Sequence, residues 1–510
     1  MLSRLFIPYN ARMFDILLTT LNSKYIHSAF GLRYLYANLG DLQSRSKIQE
    51  FTIHERPLDI VEKLLENKAK IIGFSVYIWN VVEVGQCIKL IKQIQPECII
   101  VIGGPEVSHV PDTPSWFEAA DYCITGAGEL QFKTLCSQLL NKQKPLERVI
   151  AGIALPLEQL NMPYEFYNDD DIKNRILYVE ASRGCPFKCE FCLSSLDKTS
   201  KSFSIELFLI EIDKLIQRGA HHFKFIDRTF NLKVKTTVAI LEFFLERLTG
   251  DMSIHFEVVP DKLPEKLREV LAKFPQHVLQ FEIGVQTFDP KIQNLISRKQ
   301  DNDKTCENLI WLRKNTTAHI HADLIFGLPG DNLDNFAKSF DKLVSLNPQE
   351  IQLGILKRLR GAPINRHTQE YQMVYNDNQP YNILSTRDID FKTMQRVNRF
   401  ARFWDMIGNS GRFLHTKQLI FGVSAFANFM KLSDNLYITE GSSWKISLRR
   451  LFKLLHQQLI EVLAIDSKVA FAALEKDFIH CKEKGHLANL LNVQVKQGKT
   501  GNRNKRQKQH

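Results

Sequence analysis

At 510 residues the chain is long enough for about three domains, and a composition 44% hydrophobic and 24% charged is that of an ordinary globular protein. Nine cysteines without paired extracellular spacing indicate a reducing compartment, the cytoplasm, and no apolar run approaches the roughly 18 residues of a membrane span. The net charge of +11 is inflated by residues 496–510, which hold six Lys/Arg and no acid; such a tail reads as a disordered, solvated end, and nucleic acid is not expected as a partner.

Residues 1–12 read as an extension or a misassigned start ahead of the first strand. From 13 to 140, short apolar runs alternate with segments of helical period, the pattern of a Rossmann-like parallel sheet with crossover helices. Strands are expected over 14–19, 48–53, 71–76, 99–102 and 122–125. Between them Val84, Cys87, Ile88 and Ile91 fall at helical spacing, as do Phe132, Leu135, Cys136 and Leu139. Cys87 and Cys136 are therefore core residues, and Cys98 and Cys123 are expected to be buried at strands. In open sheets of this kind ligands sit beyond the carboxyl ends of the strands. Those ends carry Ser75, Gly103-Gly104-Pro105-Glu106 and Gly126-Ala127-Gly128-Glu129, where glycine lets a ligand approach the backbone. Residues 141–173, with Pro145, Pro156 and Pro163, read as a linker.

The linker leads through a strand-like run, residues 176–179, into Glu180-Ala-Ser-Arg-Gly-Cys185-Pro-Phe-Lys-Cys189-Glu-Phe-Cys192. Soft thiolates at such spacing select iron–sulfur clusters or zinc. A structural zinc site wants four ligands, usually as two pairs, yet the next cysteine is Cys306 and no histidine lies before His221. Three thiolates on a four-iron cluster leave one iron open to a cofactor or substrate. Beyond the loop, apolar strands end at Asp227 to Asn231, at Glu257, at Glu282 to Gln286, at Asp323 to Gly330 and at Ile351 to Gly354. With the cluster strand they make six strand–helix units over 174–365, a partial (β/α)6 barrel whose carboxyl ends are where an active site would be built. From 366 to 495 the period is mainly helical, with Phe400, Phe403, Trp404 and Ile407 in one stripe. Arg358, Arg360, His367 and His415 are pocket candidates whose more economical reading is a solvated or helix-end role.

The Cys-x3-Cys-x2-Cys loop after a strand, with Phe191 before its last cysteine, resembles the signature of the radical S-adenosylmethionine (SAM) enzymes. The resemblance implies a [4Fe-4S] cluster held by Cys185, Cys189 and Cys192 and a SAM molecule bound beside it. It places Asp227 and Asn231 at the amino end of SAM, Glu257 and Gln286 near its ribose and carboxylate, and the Gly327 to Gly330 turn against adenine. The N-terminal turns resemble the cobalamin-binding domain of one branch of that family, with Ala127 where the pattern has Glu. They imply a corrin over Ser75, Gly103, Gly104, Gly126, Gly128 and Glu129, the nucleotide tail lying across Ser75 and Gly103-Gly104. The axial-histidine motif Asp-x-His-x-x-Gly is missing, and His27 reads as a polar loop residue, so no protein histidine is expected on the metal. The C-terminal segment resembles the uncharacterised domain of one cobalamin-type radical SAM subfamily.

Together these readings imply methyl transfer to an unactivated carbon of a small-molecule substrate, with a low-potential electron donor such as flavodoxin or ferredoxin. Two alternatives are carried forward: radical cyclisation or oxidation without methyl transfer, and an RNA-modifying methylthiotransferase. The last requires three further cluster cysteines in the N-terminal domain.

Overall fold

The computed structural model describes residues 14–491, so the expected leading extension and basic tail lie outside it. These residues form two compact units, one of 14–332, 346–349 and 354–390, the other of 333–345, 350–353 and 391–491.

The first unit begins with six parallel strands, β1 Ile16–Asn22, β2 Ser46–Thr52, β3 Ile71–Ser75, β4 Ile99–Gly103, β5 Tyr122–Thr125 and β6 Val149–Ala151, in the order β2-β1-β3-β4-β5-β6. Every residue of β1 is buried, and its period-two alternation divides the core between the sheet's faces. Ile16 and Leu18 join Val101, Phe132, Leu135 and Cys136 beneath α1 Phe30–Ala37 and α4 Glu129–Leu140. Leu17 and Leu21 join Phe74, Val84, Cys87 and Ile91 beneath α2 Pro57–Leu65 and α3 Val81–Ile94. Strand β1 starts two residues later than expected. Strand β6 lies in the stretch read as a linker and pairs Val149 with Cys123; at three residues it is too short for alternation to reveal. The rest of that stretch is docked rather than loose. Helix α5 Asp169–Asn174 opens on a capping box between Asn168 and Asp171, and Asp171 accepts a 2.6 Å bond from Arg33, which also pairs with Glu50 at 2.8 Å, all three buried.

The second sheet is the partial barrel. Strand β7 Leu177–Val179 is followed by a small antiparallel ladder, β8 Ser182–Arg183 with β9 Lys201–Ser202, and then by β10 His222–Phe225, β11 Ser253–Val258, β12 Leu279–Gln286, β13 His319–Phe326 and β14 Glu350–Ile355. Strands β7, β10, β11, β12 and β13 are parallel neighbours in that order and β14 completes the six. Helices α6 Ile205–Gln217, α7 Val234–Leu245, α8 Glu265–Leu271, α9 Pro290–Leu295 and α10 Asn302–Asn315 fill the crossovers. Alternation again sorts the side chains: Phe223, Phe225, Ile254, Phe256, Phe281 and Ile283 are buried, with Phe223 against Phe244 of α7 and Phe225 against Phe208 of α6. The intervening Lys224, His255, Glu257, Glu282, His321 and Asp323 are only half-buried, so the lumen is polar.

The second unit is helical. Helix α11 Leu333–Ser345 packs Phe340 against Phe400 and Trp404 of α12 Phe391–Trp404 and Phe426 of α14 Ala425–Glu440. A second cluster joins Phe413, Phe452 of α15 Leu448–Glu461 and Phe478 of α16 Ser467–His480, with the short α13 Thr416–Phe421 and α17 Leu487–Leu491 alongside. His415 precedes α13 and its backbone N–H is held by Asp477 at 3.0 Å, a helix-end role. Among the described residues no helix is long and apolar enough to cross a membrane.

Candidate functional site

The cysteine loop leaves the barrel through the β8–β9 ladder. Gly184 has φ +88°, and a Cβ there would lie 2.3 Å from the carbonyl oxygen of Thr199, so the chain can turn at this point only with glycine. The Cys185 N–H donates to the carbonyl of Asp197 at 2.9 Å, the Cys192 N–H to that of Cys189 at 3.1 Å, and the Ser195 hydroxyl to that of Cys192 at 2.7 Å. All three thiols are free and line one cleft of about 250 Å³ with Phe187 and Phe191. Among the described residues no three His, Cys, Asp or Glu side chains gather to hold a single metal ion. A four-iron cluster instead takes its thiolates on separate irons, which suits three thiols spread around a cleft. Burial pushes the Cys185 and Cys189 thiols up, while Arg298, with Nη1 3.6 Å from Cys189 Sγ, pulls the latter down.

Glu190, between two of the cysteines, is 5% exposed and ties the loop down from behind. Its carboxylate accepts from Arg366 Nε and Nη2 at 2.8 and 2.6 Å, from Ser297 Oγ at 2.5 Å, and lies 2.9 Å from His367 Nε2. Despite the penalty of burial, these donors hold it below the usual carboxylate range. The backbone agrees, with Glu190 N–H on Ile296 and Ile364 N–H on Glu190. His367 is thus a clamp residue. Arg360 and Arg358 are likewise engaged, both with Asp112, and Arg360 also with Glu106.

The barrel-end residues separate into two groups. Glu257 and Gln286 line the cleft with the cysteines. Glu257 accepts two bonds from Arg228, at 2.7 and 3.0 Å, and Gln286, with φ +67°, has a buried Oε1 that receives no hydrogen bond. Asp227 and Asn231 are turned elsewhere. The Asp227 carboxylate accepts from the Ala181 N–H at 3.0 Å and the Ser182 hydroxyl at 2.6 Å, and burial raises it to about 7. Asn231 is spent on the backbone of Val259 and Lys262. In this arrangement both are engaged by the protein, and neither lines the cleft beside the cysteines. Gly327 and Gly330 take positive φ in a turn that packs on protein, for a Cβ at Gly330 would meet Leu295 and Tyr371.

Asp323 is the residue that reasoning by motif passed over. It lines the cleft, its Oδ1 is buried without a hydrogen bond, and burial, then Glu282 and Glu257, raises it to about 8. The signal was available in the alternation of β13, where His319, His321 and Asp323 are half-buried and Ile320, Ala322 and Leu324 buried. Gln286 Oε1, buried with no hydrogen bond, and Asp323 Oδ1, whose ion pair with His321 Nε2 is long at 3.5 Å, fit a ligand that brings paired hydroxyls or other donors, as a ribose does. Its neighbour Glu282 is the opposite case: a 3.1 Å contact with His255 and Lys224 at 3.5 Å hold it down at about 2.

A second cavity, about 650 Å³, opens at the carboxyl ends of β1, β3, β4 and β5. Ser75, Gly103, Gly104, Gly126, Gly128 and Glu129 all line it, so the structure brings the implied cobalamin residues together. At Gly126 a Cβ would meet nothing within 4 Å, which leaves open space over the backbone. Gly104 is different: its φ is +110° and a Cβ would sit 2.5 Å from the Val76 carbonyl oxygen, so the protein itself demands glycine there, whatever lies in the cavity. The stacked Tyr77 and Trp79, with ring centroids 4.4 Å apart, supply aromatic wall. The far side of the cavity belongs to the barrel, through Tyr178, Glu180, Arg183 and Ile226. Arg183 reaches Glu129 at 2.7 Å and Glu180 at 2.9 Å and lies 4.4 Å over the Tyr34 ring. His27 is on this wall with Nδ1 2.8 Å from the Tyr178 hydroxyl; burial, then Lys224 and Lys24, lowers its pKa.

Comparison with known proteins assigns the three segments. The B12 binding domain matches residues 16–135, the Radical SAM superfamily 179–343, and a protein family of unknown function, DUF4080, 369–510. An uncharacterised methyltransferase of Pyrococcus horikoshii is 25% identical over 315 residues, 56% of this chain and 67% of that protein. The cobalamin-dependent radical SAM methyltransferase TokK of Streptomyces tokunonensis is 23% identical over 339 residues, 58% of this chain and 48% of that one, so the chain spans about half of TokK's length. The structure of the cobalamin-dependent S-adenosylmethionine radical enzyme OxsB with aqua-cobalamin and S-adenosylmethionine bound has the same fold, with a TM-score of 0.60 at 16% identity over 94% of this chain and 80% of that one.

Proposed function

From a chain that belongs to the radical SAM superfamily and carries a B12-binding domain ahead of the barrel, we propose a cobalamin-dependent radical SAM enzyme that transfers a methyl group to an unactivated carbon of a small molecule. The observation that carries it is the pairing of a cleft lined by three free thiols with a glycine-floored cavity whose far wall, Glu180 and Arg183, is the base of the same cysteine loop. When bound, the cluster supplies the electron that cleaves the SAM sulfonium to a 5′-deoxyadenosyl radical, and cobalamin supplies the methyl group.

The chain's own residues do the positioning. Cys185, Cys189 and Cys192 would hold the cluster, with Phe187 and Phe191 beside them in the cleft. Gln286 and Asp323 accept from SAM's hydroxyls, while Arg298 adds a cation at the cleft's edge for its carboxylate. Ser75, Gly103, Gly126, Gly128 and Glu129 hold the corrin. The methylthiotransferase reading fits less well, because Cys87, Cys98, Cys123 and Cys136 are all at most 2% exposed, divided between the two faces of the sheet. A low-potential flavodoxin or ferredoxin completes the reaction as electron donor.

Anaerobic reconstitution with iron, sulfide and cobalamin, followed by turnover with SAM and a reductant, tests the reading. Cluster absorption, stoichiometric corrinoid, and S-adenosylhomocysteine appearing beside 5′-deoxyadenosine are expected. Without S-adenosylhomocysteine the enzyme is a cyclase or oxidase; without corrinoid, methyl transfer fails altogether.

A further inference from the structure

The charge of this chain is not spread along it. Residues 391–510 hold 21 Lys/Arg against eight Asp/Glu, a surplus of +13, which leaves 46 against 48 in residues 1–390. Counted over residues 496–510 alone the excess fits a solvated end. Residues 496–510 supply six of those charges, and the described helical unit, residues 333–345, 350–353 and 391–491, keeps 17 Lys/Arg against 11 Asp/Glu, a surplus of +6 that still favours a polyanion.

The helical unit adds a feature that a merely solubilising surface lacks. Arg396, Arg399 and Arg402 fall three residues apart and so share one face of α12. Each is laid on a partner from α14 or the segment after it. Arg396 forks onto Asp434 at 3.1 and 2.7 Å. Arg399 lies with Cζ 4.3 Å over the Tyr437 ring, and Arg402 with Cζ 4.4 Å over the Trp444 ring. Trp444 is nevertheless 66% exposed, and Ile438 beside Tyr437 is 76% exposed. Lys445, next to Trp444, is exposed as well. A large aromatic left in water costs apolar hydration that a stable monomer ordinarily avoids. Here the Arg402 guanidinium, which also has Asp405 at 3.5 Å, lies over the ring while leaving much of it open, and the exposed Lys445 follows in sequence.

We propose that this face binds single-stranded RNA, the phosphates lying along Arg399, Arg402 and Lys445 and a base stacking on Trp444. An acidic protein would match the charge but has no use for a flat, open indole. A base has a π face for it, and stacking on aromatics and guanidinium planes is how single strands are held without sequence preference. The inference does not depend on methyl transfer, since it concerns residues of the helical unit only.

The test uses the full chain with its cluster reconstituted, and a short fluorescein-labelled single-stranded RNA followed by anisotropy. Binding is expected, with affinity falling linearly against the logarithm of salt concentration. Trp444→Ala should weaken it roughly ten-fold with the salt slope unchanged. Arg402→Gln should weaken it and make the slope shallower by about one phosphate contact. Trp444 is largely exposed, so an unchanged melting temperature is expected for Trp444→Ala, and SAM cleavage by the same preparations should be unaffected. Absence of RNA binding at low salt overturns the proposal. So does binding that is insensitive to Trp444→Ala, or equal competition by poly-glutamate, which would mark the face as a site for acidic protein.

Discussion

The cysteine cleft and the N-terminal cavity recognise their ligands by opposite means. The cleft is lined with side chains held under electrostatic tension: a Gln286 Oε1 that receives no hydrogen bond, a carboxyl on Asp323 raised to about 8, and Glu282 held at about 2. The cavity is floored by strand-end backbone, and glycines are where its ligand would lie. A cleft of side chains is probed by truncation, each substitution removing one contact. A cavity of backbone is not, because a substituted glycine changes the protein's own geometry before it touches a ligand.

The largest effect belongs to the cleft. Cys189→Ala should lose most bound iron and abolish SAM cleavage, whereas Cys306→Ala, on the barrel helix α10, should keep both; full iron loading in Cys189→Ala would remove the cluster from this loop. Gly104→Val comes next and sharpens the contrast. The side chain would strike the Val76 backbone, so a drop of several degrees in melting temperature should accompany any loss of corrinoid, about 2 kcal/mol or more. Lost corrinoid binding at unchanged stability would mean that the ligand itself needs the space.

Asp227→Ala should lower stability by about 2 kcal/mol, because the buried Ala181 N–H and Ser182 hydroxyl lose their acceptor, with SAM affinity changed little. Weakened SAM binding at unchanged melting would return Asp227 to the cofactor. Asp323→Asn should act modestly and through pH. A carboxyl raised to about 8 in the folded protein and near 3.8 when unfolded contributes stability below pH 4 that is lost as pH rises towards 8. The variant's melting temperature should therefore fall less than the parent's between pH 5 and 8, and equal slopes would show that Asp323 is ionised throughout. The smallest effect is expected at His27, engaged by Tyr178: His27→Ala should still bind cobalamin, and loss of corrinoid would make it a ligand.

What could be read in the chain without its coordinates follows the same division. The cysteine spacing, the strand-end glycines and the four core cysteines are local patterns, each visible within a few residues, and each matches the fold. Asp227 and Asp323 are both aspartates at barrel strands, and motif position favoured the first. Only the alternation of β13 puts the second on the lumen. The Glu190 clamp was beyond reach, since its partners Arg366 and His367 lie 176 and 177 residues away and charged residues carry no period that announces a partner. Strand β6 was hidden by its length and by the prolines around it.

Arg183 gives the two cavities a common fate. Its guanidinium bonds Glu129 on the N-terminal side and Glu180 at the mouth of the barrel, and the next two residues are Gly184 and Cys185. A ligand that drew Glu129 toward itself would change the hold on Arg183, and so on the loop that carries Cys185. Thermodynamic linkage then runs both ways: whatever factor cobalamin applies to cluster retention, the cluster applies to cobalamin affinity. Coupling of this kind would make loading of the holoenzyme cooperative, the order of loading altering rates and leaving the final balance untouched.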